Sequence, residues 1–175
     1  MKIQSVLALI LACNFLSFNA YAQPKEIGWQ DLVPLGWPDR DPLDGRDISS
    51  LNDDDPEAVR LYALLRNYLD NAPVVRSLHD QYVTIPGFAV PLNFHPDSRE
   101  IRQFLLVPFY GACIHVPPPA SNQIILVDAG YVSGEIPQQK DVPIEVTGRL
   151  IVEHAESDLA VSSYRINATR IVPYH

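Results

Sequence analysis

From residue 80 to the C-terminus, apolar residues fall at alternate positions or in short unbroken runs bounded by Gly, Pro, Asn or Asp. That period belongs to strands and leaves no room for a long helix. Tyr82-Val83-Thr84-Ile85 and Gly87-Phe88-Ala89-Val90 read as one strand interrupted at Pro86-Gly87, a bulge or bend of the kind that curls a sheet. His95-Pro96-Asp97-Ser98 reads as a turn, and Ile101 to Phe109 as a second, largely apolar strand buried on both faces. Ile124–Val127, Ile144–Glu153 and Ser162–Val172 are the third, fourth and fifth. On the fifth, alternation puts Tyr164, Ile166, Ala168 and Arg170 on one face and Arg165, Asn167, Thr169 and Ile171 on the other.

Before residue 80 the period is helical only once. Asp55-Pro56-Glu57 is a helix start, with Asp as N-cap, Pro at the first helical position and Glu in the first turn. Val59, Tyr62, Leu65 and Leu69, flanked by Leu61, Leu64 and Tyr68, then recur at helical spacing across Ala58–Leu69, while Arg60, Arg66 and Asn67 take the wet side. Asp70-Asn71-Ala72-Pro73 ends the helix. One helix and five short strands with bends at Gly and Pro predict a mainly β domain, a small antiparallel five-stranded barrel of the OB-like type, with a β-sandwich as the alternative.

Residues 1–22 read as a removable export signal: Lys2 as the positive start, an apolar stretch from Val6 to Phe18, and Ala20-Tyr21-Ala22 as the cleavage pattern ahead of Gln23. A bilayer span needs about 20 apolar residues, and this stretch is too short and too interrupted to serve as one. A rival reading takes Ile10-Leu11-Ala12-Cys13 as a lipobox, with Cys13 acylated and the protein tethered to a membrane. The expected location is the periplasm. The expected division is 1–22 signal, 23–55 a Pro- and Asp-rich arm, and 56–175 the helix and barrel. The whole chain has 13 basic and 21 acidic side chains; cleavage removes Lys2 and no acid, leaving a net charge of −9. That balance argues against nucleic acid and against anionic membrane surfaces, both of which demand clustered Lys and Arg.

In the arm, Pro24, Pro34, Pro38 and Pro42 with Gly28, Gly36 and Gly45 prevent any long element, and Trp29, Leu32, Val33 and Trp37 are placed to pin it to the domain. Asp39, Asp41, Asp44, Asp47 and Asp53-Asp54-Asp55 form an acidic belt. It resembles a calcium loop but lacks the regular ligand spacing and the closing Glu, so it reads as a solvated, turn-forming loop.

The segment from Phe109 to Gln123 has different chemistry. Tyr110, Gly111 and Ala112 lead into Cys113-Ile114-His115, and Pro117, Pro118 and Pro119 impose a stiff polyproline strut before Asn122 and Gln123. With Cys13 removed, Cys113 is the single thiol of an exported chain and has no internal disulfide partner. In extended backbone Cys113 and His115 project on one face. Three readings follow. The pair is half of a zinc or copper site, with the remaining ligands drawn from His79, His95, His154, His175, acidic groups or a partner. Or Cys113 is a nucleophile activated by His115. Or Cys113 packs as a small hydrophobe and the prolines shape a rigid, partner-facing loop.

The run Leu105–Gln123 resembles the signature of a bacterial family of exported proteins classed as a domain of unknown function, whose members share Gly-Ala-Cys-x-His-x-Pro-Pro-Pro-x-x-Asn-Gln. The Trp-x-x-Leu-x-Pro entry of that family is matched by Trp29, Leu32 and Pro34, and its Ile-Pro-Gly-x-x-x-Pro-Leu stretch by Ile85 to Leu92. The likeness covers most of residues 26–173. It implies a periplasmic or lipoprotein location and association with ABC-type permease systems, some linked to zinc uptake; no enzyme activity comes with it. The expectation is therefore a non-enzymatic periplasmic accessory or binding protein, not integral to the membrane, that serves such a permease. A thiol-dependent enzyme using Cys113 with His115 is the alternative.

Overall fold

The computed structural model describes residues 23–52, 54–94, 101–112, 119–130, 132 and 141–174. Its longest strand, β2 (Gln81–Phe94), changes partner halfway along. Gln81–Gly87 pairs antiparallel with β5 (Ile144–Glu156), and Phe88–Phe94 pairs antiparallel with β3 (Ile101–Val107). β3 continues to β4 (Ile125–Asp128), β4 pairs in parallel with β6 (Val161–Pro173), and β6 returns antiparallel to β5. Five strands thus close a ring of hydrogen bonds, and β1 (Lys25–Glu26) adds to β2 in parallel at Val83 and Thr84. Among the described residues the sheet is six-stranded and mixed, which corrects the purely antiparallel expectation: β4 pairs antiparallel with β3, and β6 lies alongside β4 in the same direction.

The partner change falls where Pro86-Gly87 was expected to bend the strand, but the register carries no bulge there; Pro86 and Gly87 sit in step with Glu145 and Ile144. The irregularities lie between Pro91 and Phe94. Gly87 serves close approach instead. A Cβ there would stand 2.8 Å from the Val107 carbonyl oxygen and 2.9 Å from Trp29 Cζ2.

Alternation sorts the core into two layers. Phe104 and Leu106 of β3 and Ile125 and Val127 of β4 point into the ring, where they meet Val83, Ile85, Ile144, Val146, Leu150, Tyr164 and Ile166. Leu105 and Val107 point out, joining Ile124, Leu126, Ala112 and Ala160 in a second buried cluster. β3 is buried on both faces, as its unbroken apolar run predicts. Each aliphatic side chain so enclosed contributes about 1.5–3 kcal/mol.

On β6 the expected face assignment holds for Tyr164 and Ile166 and fails at Ile171, which is buried in the ring. Gly148 pairs with Ala168 and Thr147 with Arg170, so Thr169 is an extra residue that reverses the alternation beyond it.

The one α-helix among the described residues, α1 (Pro56–Asp70), starts as expected: the Asp55 carboxylate accepts from the Glu57 N–H at 2.7 Å. Its inward face differs from the expected stripe. Ala58 and Leu61 are buried, whereas Val59 and Leu64 face solvent. The helix meets the arm through Trp37 stacked on Tyr68, Asp39 bonded to Tyr68, and Arg46 beside Glu57. The arm itself enters the core, since Ile27 and Leu32 are buried in the ring cluster.

Candidate functional site

The β3–β4 connection leaves the ring at Pro108 with Phe109 and Tyr110 exposed, and the Tyr110 ring lies 6.3 Å from that of Phe88. Gly111 takes φ +83°, a left-handed conformation that a side chain at this turn would strain. Ala112 then turns back into the outer apolar cluster, its N–H donating to the Phe109 carbonyl. Cys113, His115, Pro117 and Pro118 lie outside the described residues, so the pairing expected of Cys113 and His115 has no geometry here.

The chain returns at Pro119 and Ala120 and makes a 3-10 turn, Ser121–Gln123, whose side chains are committed to the core. Ser121 is buried and its hydroxyl accepts from Ser163 Oγ at 2.8 Å. Buried Asn122 donates Nδ2 to the Pro73 carbonyl at 2.9 Å. Gln123 donates Nε2 to the Trp29 carbonyl at 2.9 Å. Trp29 in turn donates its indole N–H to the Pro86 carbonyl at 2.8 Å. Tyr164, rising from inside the ring, donates to the Leu32 carbonyl at 2.8 Å and accepts from the Val75 N–H at 2.7 Å.

Three stretches far apart in sequence therefore meet at one junction: the Trp29–Leu32 entry, Pro86 of the Ile85–Leu92 stretch, and the Asn122-Gln123 end of the proline-rich segment. The junction is a latch that closes the arm over the ring and anchors the return of the loop. Sequence reasoning named Trp29, Leu32, Asn122 and Gln123 but not their mutual contact, and it missed Tyr164 as the central member. The available signal was a tyrosine on an inward-facing strand position, because a buried phenol must find a partner. Burial pushes the Tyr164 hydroxyl above the ordinary tyrosine range, against a weaker opposing pull from the Val75 N–H. Asn122 Oδ1 is buried without a hydrogen-bond partner among the described residues.

The other expected ligands are dispersed. His79 uses Nδ1 to accept from the Val152 N–H at 3.1 Å, which spends the lone pair a metal would need. His154 lies on β5 with Nε2 3.8 Å from Glu156, and His95 and His175 lie outside the described residues. Among the described residues no cluster of three or more His, Cys, Asp or Glu forms. In the acidic belt, Asp41 accepts from the Leu43 and Gly45 N–H groups and Asp47 from Ser49, and these bonds hold both carboxyls below the usual carboxylate range. They are turn-forming aspartates, as the Gly and Pro around them predict.

The junction lies within the span that a family model recognises. The model described as "Protein of unknown function (DUF3299)" matches residues 29–173, from Trp29 of the latch to the end of β6. The chain belongs to the DUF3299 family. Among solved structures, this DUF3299 protein is similar to a DUF3299 family protein from Pseudomonas aeruginosa PAO1, known from a crystal structure. The two share 37% sequence identity over 87% of this chain and 97% of that one, with a TM-score of 0.64. No curated protein matches the chain. Among the described residues, no helix of this DUF3299 protein is long and apolar enough to cross a membrane.

Proposed function

We propose that this DUF3299 protein is a non-enzymatic accessory protein of the periplasm that presents the Cys113–Pro119 segment to a metal ion or an envelope partner, serving an ABC-type, zinc-linked permease. The observation that carries the reading is the anchoring of that segment at both ends. Ala112 is buried in the outer cluster at one end, and Asn122 and Gln123 are bonded to Pro73 and Trp29 at the other. Conserving geometry at both ends of a short segment is how a scaffold positions ligating or recognition groups. The signal-like residues 1–22 and the sequence resemblance support the location and the permease partner. The ring itself is proposed to be an OB-like barrel. Its order supports this, with the first ring strand between the second and the fourth and the third parallel to the fifth. The acidic balance speaks against a nucleic-acid ligand for it.

Calorimetric titration of zinc into metal-free protein tests the reading. Stoichiometric heat is expected at neutral pH, weakening below about pH 6 because the thiol must ionise and the imidazole must be neutral. Cys113→Ser and His115→Ala should each remove it. A flat titration of the wild type sinks the metal assignment.

A further inference from the structure

A cleft of about 400 Å³ lies between the arm and the C-terminal half of α1. Among the described residues it adjoins the latch at Pro73, which lines the cleft and accepts from Asn122. One wall is the tight turn Pro34–Trp37, closed by the Trp37 N–H donating to the Pro34 carbonyl, with Gly36 at φ +86° and Leu35 fully exposed at its tip. The floor is the Trp37 indole stacked on the Tyr68 ring, with centroids 5.8 Å apart and planes within 17°. The rim is polar. Asp39 accepts from the Tyr68 hydroxyl through Oδ1 at 3.0 Å. The Arg40 guanidinium stands 5.8 Å from the centre of the Tyr68 ring. Asn71 donates Nδ2 to both the backbone and the side-chain oxygens of Asn67.

We propose that this cleft binds a neutral saccharide, with a sugar ring laid on the indole of Trp37 and its hydroxyls bonded by Asp39, Arg40, Asn67 and Asn71. Tyr68 is occupied by Trp37 and by Arg40, whereas Trp37 lines the cleft and is only partly buried, which leaves its indole as the aromatic surface for a ligand, a flat platform of the kind that C–H-rich sugar faces stack on. Among the described residues Asp39 keeps Oδ2 as an acceptor, and the Arg40 guanidinium, whose contact there is the Tyr68 ring, keeps its N–H groups as donors. Asn71 keeps its amide oxygen and Asn67 its amide NH₂. Planar side chains with donors and acceptors side by side match adjacent hydroxyls. The volume falls in the range of small-ligand sites and accommodates a disaccharide-sized molecule.

Other classes fit less well. An alkylammonium ion needs two or more open ring faces, and here a cation already stands over Tyr68. A phosphate would meet Arg40 but also the Asp39 carboxylate. A purely apolar ligand would strip water from Asp39 and Arg40 without replacing its hydrogen bonds.

Saturation-transfer NMR on the full chain, with maltotriose, cellotriose and triacetylchitotriose as probes, tests this. At least one is expected to show transfer to its ring C–H protons and a change in tryptophan fluorescence, with a dissociation constant on the order of 1 mM. Trp37→Ala should abolish binding. Because that change also loosens the arm from α1, Arg40→Ala is the control: it should keep the wild-type melting temperature and weaken binding about tenfold. Absence of transfer from all three probes at tens of millimolar overturns the proposal. So does binding that survives both substitutions, or a cleft that takes choline or inorganic phosphate in preference to the sugars.

Discussion

The side-chain amide of Gln123 reaches the backbone carbonyl of Trp29 at 2.9 Å, ninety-four residues back along the chain. Because the acceptor is main chain, no substitution at position 29 removes it, and only Gln123 can be tested directly. Gln123→Ala should leave the half-buried Trp29 carbonyl short of a donor and cost about 1–2 kcal/mol in urea unfolding. Asn122→Ala strands the Pro73 carbonyl but also removes an Oδ1 that has no partner among the described residues, so its cost should be the smaller of the two. The reverse order would show that Asn122 Oδ1 has a strong partner in the folded chain.

Tyr164→Phe should be more severe, because the Leu32 carbonyl and the Val75 N–H lose their partner together. Two orphaned backbone groups cost about 2–4 kcal/mol. The raised folded pKa gives the pH dependence its sign. Above about pH 10 the unfolded tyrosine ionises while the buried one stays protonated, so the unfolded state binds fewer protons and stability falls with rising pH. Denaturation curves between pH 8 and 11 should show that fall in the wild type and less of it in Tyr164→Phe.

Gly148 is expected to tolerate nothing larger. A Cβ there would run into the Asn167 carbonyl oxygen and stand 2.7 Å from Ile166 Cγ2 and 2.9 Å from Ala168 Cα. Gly148→Ala must push β5 away from β6 beside the Thr169 bulge, at a cost of about 1–3 kcal/mol or more. An unchanged melting temperature would mean that the two strands are not so close.

Millimolar calcium should leave the melting temperature nearly unchanged, since both oxygens of Asp41 already hold backbone N–H groups. Specific binding at a hundred times the dissociation constant would add about 2.7 kcal/mol. Acid should act in the opposite sense. The lowered pKa values of Asp41 and Asp47 mean that their contribution is present above the ordinary aspartate range and is lost as pH falls through the folded values. Loosening of the arm below pH 4, followed through Trp37 fluorescence, is the expected result.

The elements that sequence predicts best are those with a local cause. The helix start is written in Asp55 and Pro56, and double-sided burial of β3 in its unbroken run Phe104–Val107. β1 leaves no trace in the sequence because its two exposed residues join the sheet through backbone alone. Ile171 is misassigned because a bulge at Thr169 changes phase without changing composition. Val59 and Leu64 are misassigned because helical spacing does not say which of two overlapping apolar stripes meets the arm. The latch residues stand out individually, but a bond between an amide side chain and a distant carbonyl carries no complementary residue pair to read. Tyr68 was likewise assigned to an apolar stripe, although its hydroxyl and both its ring contacts belong to the cleft.

The partner change along β2 also dictates an order of assembly. Its second half meets β3 as soon as the next few residues are made, but its first half must wait for β5, and Thr84 finds Thr147 only sixty-three residues later. Until then Val83 and Ile85 have no opposite wall, and the latch lacks Tyr164, which arrives later still. Closing such distant pairs before any local reward accrues is slow. A chain emerging from one end therefore keeps half of its longest strand without its β5 partner until nearly all of the chain is present.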